Sequence, residues 1–319
     1  MRAGHPGMEC TVCRVEEGFF SMSKLFHIIT DGSCDLPPEW AEQKGFSVVP
    51  FYVSFDDEHY CKEIEDIGIR DFYQQMVDRK GVYPKSSMPS TQDYVDAFMP
   101  WVEQDMPIIC ICITTKFSGS MQSAMNALQI IREERPQARI QIIDSTVNTV
   151  LQGILVLEVV KCQESGMTYE ETIRKIEEIK STGRIFFTVG DMEYLAHGGR
   201  IGKVSSVAGS LLGIKPVITL KQGEIFPSGI GRSRRKNLDK TISLLQAYLA
   251  ESGEDVSQFS IAVGYGYDYQ EAVEYRRLVS QALGGRLKEE DILLLQIGAT
   301  ISVHTGPYPL GLGIIRKAV

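Results

Sequence analysis

The sequence predicts an α/β protein with a mainly parallel sheet and flanking helices in its first half, and a mixed or antiparallel α/β arrangement in its second. From Lys24 to Gly166, short apolar strands alternate with helical segments at the spacing of βαβ units. After Gly166 the apolar runs crowd together, and Gln222-Gly223 divides two of them as a hairpin turn would. The change of pattern at one point argues for two α/β domains, 24–166 and 167–319. A chain of 319 residues is long enough for both cores.

The elements follow in order. LFHIIT (25–30) is a short apolar strand, followed by the turn DGSCDLPP and a helix near Glu39–Lys44. FSVVPFYVSF reads as the next strand, and Ile67–Arg79 as an amphipathic helix. GVYPKSSMPS reads as a polar loop before a helix starting near Thr91. ICICIT and RIQIID are strands with a helix over Ser120–Arg135 between them, and TVNTVLQGILVLEVVKCQES is a helix apolar enough to be buried on most sides. Thr168 and Glu171 form a capping box for a helix through Lys180. Beyond it IFFTVG, KPVITLKQGEIFPSGI, FSIAVGYG, DILLLQIGATISV and GLGIIRKAV read as strands, with helices at 204–212, 234–251 and 269–283.

Composition narrows the function. With 33 basic and 41 acidic residues the formal net charge is −8, which argues against nucleic-acid binding through bulk charge. No apolar run approaches the ~20 residues of a membrane span. Residues 1–23 lack both periodicity and the apolar core of a signal peptide, and read as a mobile extension, with Met22 an alternative start. Seven cysteines, two of them alternating within one strand at Cys110 and Cys112, point to a reducing cytoplasm. Cys10 and Cys13 have no second pair at zinc-ribbon spacing, so no metal is expected.

Nucleotide signatures fail on inspection. Gly198-Gly199-Arg200-Ile201-Gly202-Lys203 has its glycines too close together for a Walker loop, and Val204 stands where Ser or Thr would hold magnesium. Gly264-Tyr265-Gly266 lacks the third glycine of a dinucleotide fold, and no G-x-S-x-G elbow exists. No cofactor is expected.

Four polar clusters remain, each at the end of an apolar run: Thr30-Asp31-Gly32-Ser33, Ser86-Ser87-Met88-Pro89-Ser90, Lys116-Phe117-Ser118-Gly119-Ser120 and His304-Thr305-Gly306-Pro307. Each has a purely structural explanation. Asp31 with Ser33 suits an Asx turn, Ser90 or Thr91 a helix cap, Ser118 or Ser120 a helix cap, and His304 a hydrogen-bonded histidine at a strand end. Together they supply hydroxyls, free amides at a strand-to-helix turn and one imidazole, a set able to hold a single carboxylate or phosphate.

The succession IITDGSCDLP, VVPFYV, KSSMPST, KFSGSMQSA, IIDS, GGRIG, KPVI and HTGP over residues 24–319 resembles the DegV family of bacterial fatty-acid-binding proteins. The resemblance implies a two-domain fold with a long-chain fatty acid between or within the domains. It implies that Ser86 and Ser118, with amides near Gly119 and Ser120, hold the carboxylate and that His304 lies beside it. It further implies an acyl-carrier role: a separate fatty-acid kinase subunit makes an acyl phosphate on the bound lipid, with Arg200 and Arg232 facing the kinase or the phosphate. The chain departs from the family in having Ser86 for a usual threonine, Ser120-Met121 for Thr-Tyr, Gly32 for serine and Tyr308 for glycine. Two other readings stay open: a lipid sensor without a kinase, and a hydrolase or phosphotransfer enzyme using Ser118, His304 and Asp31.

Overall fold

The structure, a computed structural model, describes residues 24–204 and 215–319. The N-terminal extension with Cys10 and Cys13, and the helix expected at 204–212 apart from Val204, lie outside the described residues.

A parallel sheet is built from β1 (His27–Asp31), β2 (Phe46–Val49), β6 (Ile108–Cys112) and β7 (Ile140–Asp144), in the order β2-β1-β6-β7. β1 and β6 are buried at every residue because helices cover both faces. Ile29, Ile108, Cys110 and Cys112 pack toward α3 (Thr91–Val102) and α4 (Ser120–Glu134). Ile28, Ile109 and Ile111 face the other way, toward α5 (Thr149–Glu164). Cys110 and Cys112 are free, fully buried thiols used as small apolar groups.

The second sheet is mixed. β8 (Arg184–Thr188), β9 (Pro216–Lys221), β10 (Glu224–Ile230), β11 (Phe259–Tyr265), β12 (Leu293–Gln296) and β13 (Leu310–Arg316) run in the order β10-β9-β8-β13-β11-β12, with only β11 and β12 parallel. Gln222 and Gly223 both have positive φ, 51° and 81°, as a tight two-residue hairpin requires. One face packs on α8 (Arg234–Ser252) and α9 (Tyr269–Ala282); the other meets α5. α5 is therefore wedged between the two sheets, which is why its sequence is apolar all round. The capping box at Thr168 forms as expected, opening α6 (Tyr169–Lys180).

Three stretches differ from their sequence expectation. FSVVPFYVSF is two strands. Pro50, which has no N–H for a ladder, separates β2 from β3 (Tyr52–Ser54), and β3 joins a different, three-stranded sheet. KSSMPS is not all loop: β5 (Lys85–Ser87) pairs with β3, Val53 opposite Ser86, and β4 (Cys61–Lys62) completes that sheet. DILLLQIGATISV is a strand only to Gln296. After Gly298 the chain turns into a short helix, α10 (Ala299–Thr305), so His304 sits in a last helical turn and not at a strand end. Its β-branched Thr300, Ile301 and Val303 favour a strand locally, and tertiary contacts override them.

Candidate functional site

A cavity of about 280 Å³ lies between the mixed sheet, the start of α5, α10 and the turn before α4. Its walls are mainly apolar, with Ile185, Phe187, Leu220 and Leu312 from the sheet and Val150 and Ile301 from helices. Its polar residues include Ser86, Ser118 and His304, and the exposed residues of its lining include Met88, Gly119 and Arg200. An apolar cavity with a few convergent polar groups is the usual form of a small-molecule site, and its volume lies near the low end of the ~300–1,000 Å³ such sites span.

Each polar group is delivered by a different element. Ser86 lies mid-strand in β5, fixed by its pairing with Val53. Ser118 lies in the turn between β6 and α4, where Asp31 accepts hydrogen bonds from the Ile113 amide at 2.9 Å and from Ser120 Oγ at 2.8 Å. His304 comes from α10, whose residues Thr300, Ile301, His304 and Thr305 form one cavity-facing stripe. Its Nε2 lies 3.3 Å from Ser86 Oγ, and its Nδ1 has no hydrogen-bond partner among the described residues. The ring lies against Gly198, where a Cβ would come within 2.1 Å of Nδ1. Burial, and secondarily the Arg200 charge, pushes the His304 pKa down to about 4, so the imidazole is neutral at pH 7. A neutral imidazole can donate or accept one hydrogen bond at each nitrogen, and an anion bound beside it would draw its pKa upward.

Arg200 bridges the mouth of the cavity. Its Nε and Nη2 donate to the Phe117 carbonyl at 3.2 and 3.1 Å and its Nη1 to the Gly198 carbonyl at 2.8 Å, joining the Gly198-Gly199 loop to the serine turn. Gly199 there takes a φ of 66°, which a side chain would resist. Gly119 lets Met88 close over the turn, since a Cβ would stand 2.8 Å from its sulfur.

Among the residues singled out from sequence, the cavity thus gathers Ser86, Ser118, Gly119, Arg200 and His304. Ser120 turns inward. It is fully buried, hydrogen-bonded to Asp31 and Tyr94, and its amide donates to Ser118 Oγ at 3.2 Å. Part of the capping interpretation of Ser118 is therefore real: its hydroxyl serves the first amide of α4 while lining the cavity. Arg232 is exposed outside the cavity lining, before the Ser233 cap of α8. Its neighbour Arg234 is committed to both carboxylate oxygens of Glu271 and the Tyr308 carbonyl. Asp31 and Ser33 belong to a buried network with Gln152 below the site. Asp31 does not contact His304, so no Ser118–His304–Asp31 relay assembles. Ser90 is a helix cap, in a box with Asp93.

Sequence reasoning missed most of the apolar wall, together with Phe51 and Thr149. Thr149 holds a φ of 49°, an outlier for a β-branched residue, and donates its hydroxyl to buried Asp35. Only a tertiary structure brings such residues to one place. Among the described residues no group of three or more His, Cys, Asp or Glu side chains could hold a metal ion, and no helix is long and apolar enough to cross a membrane.

The chain is 43% identical to a stearic-acid-binding protein of Eubacterium ventriosum whose crystal structure superposes with a TM-score of 0.87, covering 92% of this chain and 99% of that one. A fatty-acid-binding DegV family protein of Thermus thermophilus matches at 27% identity and a TM-score of 0.81, over 91% and 99% of the two chains. A DegV domain-containing protein of Clostridium perfringens is 29% identical over 91% of this chain and 99% of its own length. The family profile described as "Uncharacterised protein, DegV family" matches residues 25–317. The chain belongs to the DegV family.

Proposed function

We propose that this protein binds a long-chain fatty acid in the cavity, with the carboxylate among Ser86, Ser118, the Gly119 amide and His304, and presents it to a partner kinase for acyl-phosphate formation. The observation that carries the binding role is the joining of hydroxyls and one neutral imidazole to one long apolar wall. The stearic-acid-binding relative at 43% identity supports the same ligand class. The lipid would sit between residues 24–166 and 167–319, each of which contributes walls.

Energetics favour a lipid over a small anion. A chain of about 16 carbons gains roughly 12 kcal/mol gross at ~0.8 kcal/mol per CH₂, and association and ordering costs return much of it. Each charge-assisted hydrogen bond at the head group adds ~1.5–3 kcal/mol. The tail therefore sets affinity and the head group sets register. Arg200 would face the partner or the new phosphate, exchanging carbonyl oxygens for phosphate oxygens, which a guanidinium binds in pairs. Exposed Arg232 is the second cation assigned to that surface.

Incubation of the lipid-loaded protein with ATP and magnesium, alone and with the cognate kinase, tests the carrier role. Acyl phosphate should form only with the kinase. Formation by the isolated chain would make it an enzyme, and none in either mixture would favour a lipid sensor.

A further inference from the structure

Glu63 is an acidic side chain with 2% exposure, and its carboxylate serves two distant elements. Oε2 accepts a hydrogen bond from the Thr300 amide at 3.0 Å, in the first turn of α10, and Oε1 accepts from the Phe51 amide at 3.3 Å. The Glu63 amide in turn donates to the Phe51 carbonyl at 2.9 Å. Phe51 and α10 both line the cavity. Two glycines make room for the buried acids here. A Cβ on Gly32 would stand 2.0 Å from Glu63 Oε1, and one on Gly298 would stand 2.4 Å from Asp35 Oδ1 and 3.8 Å from Glu63 Oε2.

Two further observations show that the chain goes to some length to place this carboxylate. Ile64, next in sequence, is held at a φ of 73°, a left-handed conformation that is costly for a β-branched residue and persists only where its surroundings fix it. Moreover, α10 has seven residues, several of them poor helix formers, and an isolated helix of that length does not form. Gly298 offers no side-chain cap, so Glu63 supplies the acceptor that the first turn lacks. His304 is one turn beyond Thr300 on the same helix face.

We propose that Glu63 is a positioning residue for the head-group end of the cavity: by holding the first turn of α10 against Phe51, it sets where the His304 imidazole stands. This rests on the proposed function above, in which the fatty-acid carboxylate lies beside His304. Glu63→Gln replaces one acceptor oxygen by an amide that faces a backbone N–H, with almost no change in volume.

The test is the rate at which protein preloaded with stearic acid releases it to excess phosphatidylcholine vesicles, for wild type, Glu63→Gln, His304→Ala and the double variant. Glu63→Gln should accelerate release by roughly tenfold, the scale of leaving one buried backbone N–H without its acceptor. Most of that acceleration should vanish in the His304→Ala background, because the effect acts through the histidine. Equal acceleration in both backgrounds would mean general loosening and would overturn the proposal. A wild-type rate for Glu63→Gln beside fast release from His304→Ala would also overturn it, leaving the head-group assignment intact. A wild-type rate for His304→Ala would overturn the head-group assignment and the positioning role with it. If Glu63→Gln does not fold, Glu63→Asp, which withdraws the carboxylate by one methylene, is read against the same outcomes.

Discussion

Gly198→Ala isolates one contact at the His304 end of the cavity. Gly198 has φ −73° and ψ −5°, which any residue adopts, so the backbone alone would gain ~0.4–1 kcal/mol from alanine through the unfolded chain. The obstacle is the His304 ring. The new Cβ would stand 2.1 Å from Nδ1, 3.0 Å from Cε1 and 3.1 Å from Cγ. Because the root of the ring is crowded as well as its edge, rotation about χ2 does not clear it, and α10 must shift or the ring must leave. Overpacking of this kind costs ~1–3 kcal/mol, so Gly198→Ala should destabilise the protein by a net ~1–2 kcal/mol. In a His304→Ala background the clash is gone, and the same substitution should be neutral or stabilising by ~0.4–1 kcal/mol. Urea unfolding of the four proteins gives the coupling energy of the cycle directly. Equal effects of Gly198→Ala in the two backgrounds would refute the packing of His304 on this glycine.

Ser118→Ala and Ser86→Ala should each reduce fatty-acid retention while leaving the fold intact, since Ser118 gives up one amide contact worth ~0.5–2 kcal/mol at the start of α4. Unchanged lipid content in both variants would remove the serines from the head-group assignment. Arg200→Ala should retain lipid and lose acyl-phosphate production with the cognate kinase, measured on the same preparation; wild-type turnover would make Arg200 a structural tie to Phe117 alone. His27 is stacked on Trp101, and burial with the nearby Lys24 charge pushes its pKa from 6.5 down to about 4. The unfolded chain therefore binds more protons between about pH 6.5 and 4, and stability rises with pH through that window. Relative to His27→Gln, the wild type should lose about 3 kcal/mol on acidification across it, and parallel pH profiles of the two proteins would show that the imidazole is not desolvated.

The fold class was legible because β1 and β6 are covered on both faces and α5 on nearly every side, so burial wrote continuous apolar runs into the sequence. The hairpin at Gln222-Gly223 and the box at Thr168 were legible because their chemistry is local. The serine turn could be found as the break at the end of the β6 run, and the Ser86 and His304 clusters as short polar stretches elsewhere in the chain. What the sequence hid is held by contacts distant in sequence. α10 reads as a strand until the Glu63 carboxylate, 237 positions earlier, meets its first turn. β5 is three polar residues that become a strand only against Val53 and its neighbours. Ser120 and Ser118 look equivalent in sequence, and only the buried Asp31 decides that one faces the interior while the other faces the cavity. Glu63, in the charged stretch Lys62–Asp66, carries no local sign that it is buried.

The central claim is that the cavity holds a fatty acid. Native mass spectrometry of the purified protein, followed by denaturing extraction and lipid analysis, tests it most directly. The account predicts a non-covalent adduct with the mass of a long-chain fatty acid, recovered in the extract at close to one per chain and depleted in Ser86→Ala and Ser118→Ala. Protein that carries no lipid as purified and takes up no added stearic acid, while folded, would contradict it.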